Sequence, residues 1–451
     1  MSELDLLIQG GTVVTATELQ TLNIGITGGK IVALEAGLEL PSREVIDAKE
    51  LHIFPGVIDA HVHFNEPGRA HWEGFETGTR ALAAGGGTLF FDMPLNAHPP
   101  TVDAESFDLK LQAARATSLV DFAFWGGLVP GNLDRLEELA ERGVVGFKAF
   151  MSNSGIDDFQ SVDDHTLREG MKRSAKLGKI VAVHAESDVI TQELAQQFIR
   201  AGKTSIRDYL DSRPIEAELD AIQRALTMAG ETGCALHIVH VSGGAGIALI
   251  AAAQKLGLDV TCETCPHYLT LTEEDVVQLG AVAKCAPPLR PTSAQESLWS
   301  YVKAEQVTTI GSDHSPAPPD MKLDSNSFKV WGGISGVQHT LPLLITEGYV
   351  KRDVALPLLS RLLSYNVAKR FKLPSEKSGI NIGSDADFAL VDLNQEFTIQ
   401  RDDLLYRHQQ SPYVGRLLKG KVVQTLLRGR TVFKDGKIMS KPLGQLVKSE
   451  N

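Results

Sequence analysis

The stretch VIDAHVHF, residues 57–64, places two histidines two positions apart at the end of an apolar run. Successive side chains of a strand point to opposite faces, so His61 and His63 would lie on the same face. A pair of this kind occurs in packed strands as well as in metal sites. Its role therefore depends on whether further metal-binding side chains occupy comparable positions in later strands.

Apolar strand-like segments alternate with longer helical segments between residues 53 and 374. Helical segments such as 133–143 and 214–231 carry apolar residues at spacings of three and four. This alternation is typical of βα units around a parallel sheet, and no glycine-rich dinucleotide motif follows the first strand to favour a doubly wound sheet. Eight strands predict a TIM (β/α)8 barrel with insertions over residues 53–374. The eight segments are 53–64, 88–94, 119–128, 144–152, 179–186, 234–242, 259–267 and 307–315.

The sequence pattern at the two ends of the chain differs from that of residues 53–374 and is typical of short strands joined by glycine turns. β-rich segments fill the first fifty residues and return at 385–393 and 421–439. Chain termini often lie close together in space. We therefore predict a small β-sandwich domain that is built from residues 1–52 and 375–451 and lies beside the barrel.

Composition and charge narrow the class of protein. The chain of 451 residues has 44 basic and 56 acidic side chains, a net charge of −12, which argues against nucleic-acid and membrane partners. No apolar run approaches the length of a membrane span, and the first ten residues lack the bases of a signal peptide. Four cysteines are too few for a disulfide framework. We expect a cytoplasmic protein with reduced thiols that acts on a small molecule.

Metal-capable side chains fall at the ends of four predicted strands, where TIM barrels carry their active sites. His61 and His63 are joined by His184, His240 and Asp313. A set rich in imidazole suits Zn²⁺, and Co²⁺, Mn²⁺ or Fe²⁺ can share such ligands, whereas Ca²⁺ requires more oxygen donors. The sequence therefore predicts a site for divalent metal ions.

Lys148 lies in the apolar strand segment GVVGFKAFM and faces the same way as Val144 and Gly146. A buried lysine without a partner is costly and tends to lose its proton. One interpretation is a lysine at the barrel rim whose amine reaches solvent. The interpretation that we favour is a neutral amine that takes up CO2 and becomes a carbamate bridging two cations.

Other polar residues of these strands are interpreted as structural. Because His237 alternates away from His240, we expect it to face the helix layer, with Leu236 and Ile238 on the face of His240. Roles in hydrogen bonding or packing around the site are expected for Asp59, His267, His314, Cys262 and Cys265.

With these residues in place, the sequence resembles the cyclic amidohydrolases of the amidohydrolase superfamily over nearly its whole length. The resemblance implies a binuclear centre in which one cation is held by His61, His63 and Asp313, the other by His184 and His240, and carboxylated Lys148 bridges the two together with a hydroxide. It also implies ring-opening hydrolysis of a cyclic amide, with Asp313 as general base and then general acid. Relatives that serve as scaffolding proteins have lost these ligands, whereas this chain has the complete set.

Within the family, several stretches resemble the members that hydrolyse allantoin to allantoate in purine breakdown: 66–80, 93–96, 312–322, 331–336 and 411–415. Dihydroorotases carry an arginine where this chain has Asn65, so the anchor for a substrate carboxylate is missing. Hydantoinases and dihydropyrimidinases typically carry a tyrosine shortly after the bridging lysine, where this chain reads KAFMSNSG. A hydantoinase or dihydropyrimidinase of broad specificity is the alternative.

The resemblance further implies that Asn96, Ser315 and Trp331 contact the substrate, together with backbone groups near Ala286. It also implies a homotetramer. The segment 155–166, rich in aspartate and glycine, is either a mobile lid over the site or an ordinary solvated loop.

Overall fold

The chain opens with five strands, and the computed structural model describes residues 3–450. The strands are β1 (Leu4–Val14), β2 (Leu19–Thr27), β3 (Lys30–Glu35), β4 (Ser42–Asp47) and β5 (His52–Pro55). β1 pairs antiparallel with β2 and parallel with β4 and β5. Ile8, Ile24 and Ile53 are fully buried in one apolar cluster, so burial of branched side chains holds these strands together.

Nine short parallel strands follow, and each of the eight strand segments predicted between residues 53 and 315 overlaps at least one of them. They are β6 (Val57–Val62), β7 (Gly87–Asp92), β8 (Asp121–Phe124), β9 (Gly126–Gly127), β10 (Gly146–Phe150), β11 (Ile180–His184), β12 (Leu236–Ile238), β13 (Val260–Thr264) and β14 (Thr309–Ile310). β6 to β8 pair in order in one sheet, and β9 to β14 pair in order in a second. A parallel bridge between Val62 and His314 brings the chain after β14 back beside β6.

Helices connect most of the parallel strands, which confirms the α/β class. They are α1 (Phe75–Ala84), α2 (Ala104–Thr117), α3 (Leu136–Arg142), α4 (Asp164–Lys176), α5 (Asp188–Arg200), α6 (Ile206–Asp211), α7 (Ile215–Thr232), α8 (Gly244–Lys255), α9 (Pro266–Thr270), α10 (Glu273–Leu279), α11 (Thr292–Lys303), α12 (Thr340–Leu344), α13 (Leu356–Ser360) and α14 (Asn366–Arg370). In α7, Glu216 and Glu218 occupy the first turn, where the helix dipole favours acids, and Gly233 ends the helix with a φ of 68°.

Shorter helical segments lie between these elements. Turns of 3-10 helix occupy Leu133–Arg135, Gly280–Ala283, Pro319–Lys322, Val337–His339, Ser375–Lys377 and Arg401–Asp403. Two π-helical segments, Ile345–Val350 and Arg361–Tyr365, directly follow α12 and α13.

The last strands return to the N-terminal sheet. They are β15 (Phe388–Thr398), β16 (Leu417–Leu427), β17 (Arg430–Lys434) and β18 (Lys437–Ile438). β15 pairs antiparallel with β5, with Phe388 opposite Pro55, so both ends of the chain share one nine-stranded sheet. The domain limits of 1–52 and 375–451 stay predictions.

The predicted orientation of His237 is wrong. In the parallel register His237 pairs with Ala182, which lies on the same strand face as His184, so the three side chains share the face of the site. Leu236 and Ile238 therefore point to the opposite face. His240 reaches the site because β12 ends at Ile238 and His240 itself adopts a φ of 41°, which breaks the alternation on which the prediction relied.

Candidate metal centre

Three side chains from the two ends of the parallel series converge. Nε2 of His61 and Nε2 of His63 each lie 3.3 Å from Oδ1 of Asp313. His61 belongs to β6, and the backbone N–H of His63 donates to the carbonyl of His314 over 2.8 Å, which fixes the strand end beside the Asp313 loop. Two imidazoles and a carboxylate with mutually close donor atoms form a suitable set for a transition-metal ion.

A second pair of imidazoles lies next to this group. Nδ1 of His184, at the end of β11, is 3.0 Å from Nε2 of His240. The His240 ring lies 5.5 Å from the ring of His61, measured between centroids. The four histidines, which were predicted from three separate segments, therefore form one buried cluster.

Lys148 faces this cluster from β10. It pairs in register with Ala182, so it lies on the strand face that His184 occupies. Its side chain is fully buried, and its Nζ has no hydrogen-bond partner among residues 3–450. Burial lowers the pKa of Lys148 to about 7. The structure thus places a buried, unpartnered amine on the strand face of His184, and its lowered pKa favours the neutral form.

The electrostatics of the site suit metal ligands. Burial holds the pKa of His61 and of His240 well below the ordinary value of 6.5, so both rings are neutral and can offer a lone pair. Burial works against the charge of Asp313, but the neighbouring His61 and His63 hold the pKa of that carboxyl below its usual range. Asp313 is therefore an ionised carboxylate.

Two buried glutamates that the sequence reasoning missed orient the imidazoles. Oε1 of Glu263 lies 2.7 Å from Nδ1 of His61, and Oε2 of Glu186 lies 2.8 Å from Nε2 of His184. Arg213 forms a two-pronged ion pair with Glu186. An acid inside an apolar strand, as in VTCETC around Glu263, is the sequence signal that could have identified the first of them.

Glu263 is buried and closely packed. Burial raises the pKa of its carboxyl to about 8. Gly311 packs against it so closely that a Cβ at that position would lie 2.6 Å from Oε2 of Glu263. Only a glycine therefore leaves room for this carboxyl behind His61.

Asp59 connects the first strand of the site with its last loop. Oδ1 of Asp59 accepts hydrogen bonds from the backbone N–H groups of His61 and Ser312, at 3.1 and 3.0 Å. Burial raises the pKa of Asp59 to about 7. This side chain has the hydrogen-bonding role that was expected of it.

The remaining polar residues lie around the centre in different ways. Cys265 and His267 have donor atoms near Asp313, and both ring nitrogens of His267 lack a partner within the described residues. Nδ1 of His314 accepts from the backbone N–H of Gly336. Cys262 is fully buried in the large apolar cluster, in agreement with a packing role.

The predicted substrate residues border the metal cluster. Asn96, Ser315 and Trp331 line a pocket of about 80 Å³, and Nδ2 of Asn96 lies 3.5 Å from Oγ of Ser315. Ala286 lines the same pocket. Further lining residues, none of which was predicted individually to contact the substrate, are Leu95, Phe150, Asn153, Ser154, Cys285, Gly332 and Gly333.

The segment 155–166 is packed onto the protein rather than freely solvated. Phe159 is fully buried, and Oδ2 of Asp158 lies 3.1 Å from Nη2 of Arg69 and 2.6 Å from Nδ1 of His98. The other end of the Arg69 guanidinium donates to the carbonyl of Asn96. The segment is thus tied to the loop that carries a predicted substrate residue.

Comparison with known proteins agrees with this geometry. A sequence profile of the amidohydrolase family matches residues 52–432, and the chain belongs to that family. It is 57% identical to the allantoinase of Rubrobacter xylanophilus, over 100% of this chain and 99% of that protein. It is 43% identical to the allantoinase of Escherichia coli, over 95% of each chain.

The chain is also similar in shape to solved structures of hydantoinases and dihydropyrimidinases. The L-hydantoinase (dihydropyrimidinase) from Arthrobacter aurescens superposes with a TM-score of 0.96 at 33% identity, covering 99% of this chain and 100% of that one. The dihydropyrimidinase from Brevibacillus agri gives a TM-score of 0.92 at 30% identity, covering 98% of each chain. Within residues 3–450, no helix combines the length and apolar character that a membrane crossing requires.

Proposed function

We propose that this protein is a metal-dependent allantoinase, which opens the hydantoin ring of allantoin by hydrolysis to give allantoate. The observation that carries the proposal is a pocket beside a complete set of imidazole, carboxylate and lysine ligands whose described lining includes neither arginine nor lysine. Such a lining suits a neutral ring and offers no anchor for a substrate carboxylate. The two allantoinase relatives support the same substrate.

We propose that His61, His63 and Asp313 hold one divalent cation, that His184 and His240 hold the other, and that Lys148 as N6-carboxylysine bridges them. The unpartnered, buried amine of Lys148 supports the modification, because a carbamate would give this position a charge and two oxygen donors facing the cations. Zn²⁺ is the cation that this donor set fits best, and Co²⁺, Mn²⁺ or Fe²⁺ would fit the same ligands.

The cations, when bound, would generate a nucleophilic hydroxide near neutral pH and polarise the ring carbonyl. The protein supplies the proton transfers. Ionised Asp313 accepts the proton of the attacking water as the new C–O bond forms at the ring carbonyl. It then delivers that proton to the amide nitrogen as the C–N bond breaks, so that the ring opens to a carboxylic acid and a terminal ureido group.

The surrounding residues hold the ring for this attack. Asn96 and Ser315 offer an amide and a hydroxyl within hydrogen-bonding distance of one another, and both face the pocket. Trp331 offers an indole whose Nε1 has no partner in the described chain. A ring with several N–H and C=O groups can be oriented by such a set.

A hydantoinase or dihydropyrimidinase of broad specificity is the second candidate, and the likeness to solved hydantoinases favours it. The stretch KAFMSNSG, which begins at Lys148, has no tyrosine, whereas those enzymes typically carry one there. Phe150 is stacked on His184 with ring centroids 4.5 Å apart, and Asn153 lines the pocket. This part of the pocket therefore offers no phenol hydroxyl to a substrate.

One experiment separates these functions. Purified protein loaded with Zn²⁺ is assayed side by side with allantoin, hydantoin, dihydrouracil and dihydroorotate. We expect kcat/KM to be highest for allantoin, by at least about tenfold, and turnover of dihydroorotate to be negligible. Preference for hydantoin or dihydrouracil would favour the second candidate, and inactivity on every ring would indicate a scaffolding relative.

We further propose that the two parallel sheets form one closed (β/α)8 barrel of residues 53–374 and that the shared nine-stranded sheet folds into a β-sandwich of residues 1–52 and 375–451. The likeness to hydantoinases over the whole chain supports this architecture. We also propose that the protein is cytoplasmic and forms a homotetramer. Size-exclusion chromatography with light scattering would test the oligomeric state.

A further inference from the structure

One wall of the pocket is a stretch without regular secondary structure, Val330–Gly333. Trp331, Gly332 and Gly333 all line the pocket. The stretch is joined to its neighbours by two backbone hydrogen bonds, from Trp331 N to Met321 O at 2.9 Å and from Gly333 N to Lys284 O at 2.8 Å. Because only these two backbone bonds and no helix or strand hold the stretch within the described residues, its position depends on side-chain contacts.

Two lysine ammonium groups hold this wall by its carbonyl groups. Nζ of Lys322 donates to the carbonyls of Trp331 at 3.3 Å and Gly333 at 2.9 Å, and also to that of Ala281 at 3.1 Å. Nζ of Lys284 donates to the carbonyl of Val330 and lies 4.2 Å from the centroid of the Tyr209 ring. The carbonyls of Val330, Trp331 and Gly333 are thus each bound by an ammonium group.

Neither ammonium group forms an ion pair with a carboxylate within the described part of the chain. Burial lowers the pKa of Lys284 to about 7 and that of the half-buried Lys322 to about 8, which reflects the cost of taking a cation out of water without an anion. Lys110, by contrast, is fully buried with Asp92 at 2.6 Å. The two lysines at the wall are therefore bound by peptide carbonyl groups, which stabilise a buried cation less than a carboxylate would.

The wall also presses directly on a substrate residue. A Cβ at Gly333 would lie 2.1 Å from the carbonyl oxygen of Ser315, so backbone meets backbone there. The Trp331 ring packs edge to face on Trp72, with centroids 4.9 Å apart. A shift of the stretch would therefore move Trp331 and Ser315 relative to Asp313.

We propose that Lys322 and Lys284 are positioning residues that fix the wall Val330–Gly333 at the distance required by a five-membered cyclic amide. They set substrate affinity and ring-size selectivity through the wall and do not touch the reacting atoms. This inference rests on the proposed function, because it concerns how the same pocket holds its ring.

The test compares Lys322→Met with Lys329→Met, an exposed lysine of the same loop, in the full-length metal-loaded protein. For Lys322→Met we expect KM for allantoin to rise about tenfold, the effect of one lost charged hydrogen bond, with a smaller change in kcat. The ratio of kcat/KM for allantoin to that for dihydrouracil should fall, since a loosened wall admits a larger ring. The metal content of Lys322→Met should equal that of the wild type. KM and the ratio of kcat/KM values should stay unchanged in Lys329→Met.

A double-mutant cycle shows whether the lysine acts through the wall. If it does, Lys322→Met should have little further effect in a Trp331→Ala background. Unchanged KM and selectivity in Lys322→Met, or an activity loss that only follows the loss of folded protein, would overturn the inference. If that variant fails to fold, Lys284→Met is held to the same criteria. Absence of allantoin turnover by the wild type would instead refute the proposed function.

Discussion

Oε1 of Glu263 lies 2.7 Å from Nδ1 of His61, and this contact determines which nitrogen of the ring faces Asp313. When Glu263 is ionised, its carboxylate accepts the proton of Nδ1, which favours the tautomer with the proton there and leaves the lone pair of Nε2 free for a cation. Glu186 has the same relation to His184 with the two nitrogens exchanged, because it binds Nε2 and leaves Nδ1 toward His240. Each proposed cation site therefore has one imidazole whose orientation is set by a buried acid.

Glu263→Leu should weaken metal binding by about 10- to 100-fold, the usual effect of losing a group that orients a metal-bound histidine. Glu263→Gln keeps an acceptor oxygen and should lose less. Metal content after dialysis against graded chelator concentrations measures the difference, and Glu274→Gln, an exposed acid, serves as the control. Equal metal retention in Glu263→Leu and the wild type would show that the contact does not matter for binding.

Lys148→Ala should lose activity by more than about 100-fold, because removing a shared ligand should cost more than removing a group outside metal coordination. A short carboxylic acid such as propionate should restore part of the activity by replacing the carbamate oxygens. Propionamide, which has the same shape without the charge, is the matched control. Full activity of the variant without any added acid would rule out the carbamate, and intact-protein mass spectrometry under CO2 would detect it directly.

Asp313→Asn should lower kcat by about 10²- to 10⁴-fold, because the amide cannot accept and return a proton. Since Asp313 is also a proposed ligand, metal content must be measured on the same sample, and the loss of kcat should exceed any loss of metal. Asp320→Asn, an exposed acid that follows seven residues later, should leave both quantities unchanged. Retention of wild-type kcat in Asp313→Asn would require another proton acceptor.

The strand pattern and the convergence of the candidate ligands could be predicted from sequence for one physical reason. Apolar alternation locates strands, and a parallel arrangement brings their C-terminal ends together without any knowledge of distances. His61, His184 and Asp313 each lie at or just beyond the end of such a strand, so their convergence followed from topology alone. Nothing more than the order of the strands was needed.

The errors and omissions arise where geometry departs from this regularity. His237 was assigned to the wrong face because alternation was continued past Ile238, where the strand ends. Glu263 binds a histidine 202 residues away and Glu186 binds one 2 residues away, and sequence periodicity specifies neither contact. The two ammonium groups at the pocket wall depend on loop conformation, which periodicity does not encode.

His339, which is remote in sequence from the proposed ligands, should make the protein less stable in mild acid. Burial lowers its pKa from 6.5 to about 3, so between these values the unfolded chain binds a proton that the folded chain does not. The stabilising contribution of neutral His339 is complete above pH 6.5. Below this pH the free energy of unfolding falls by about 1.4 kcal/mol for each pH unit. His339→Leu should therefore lose about 1.4 kcal/mol less than the wild type between pH 7.5 and 5.5, measured by urea unfolding. His165→Leu, an exposed histidine in α4, should match the wild type, and a variant slope equal to the wild-type slope would contradict the assignment.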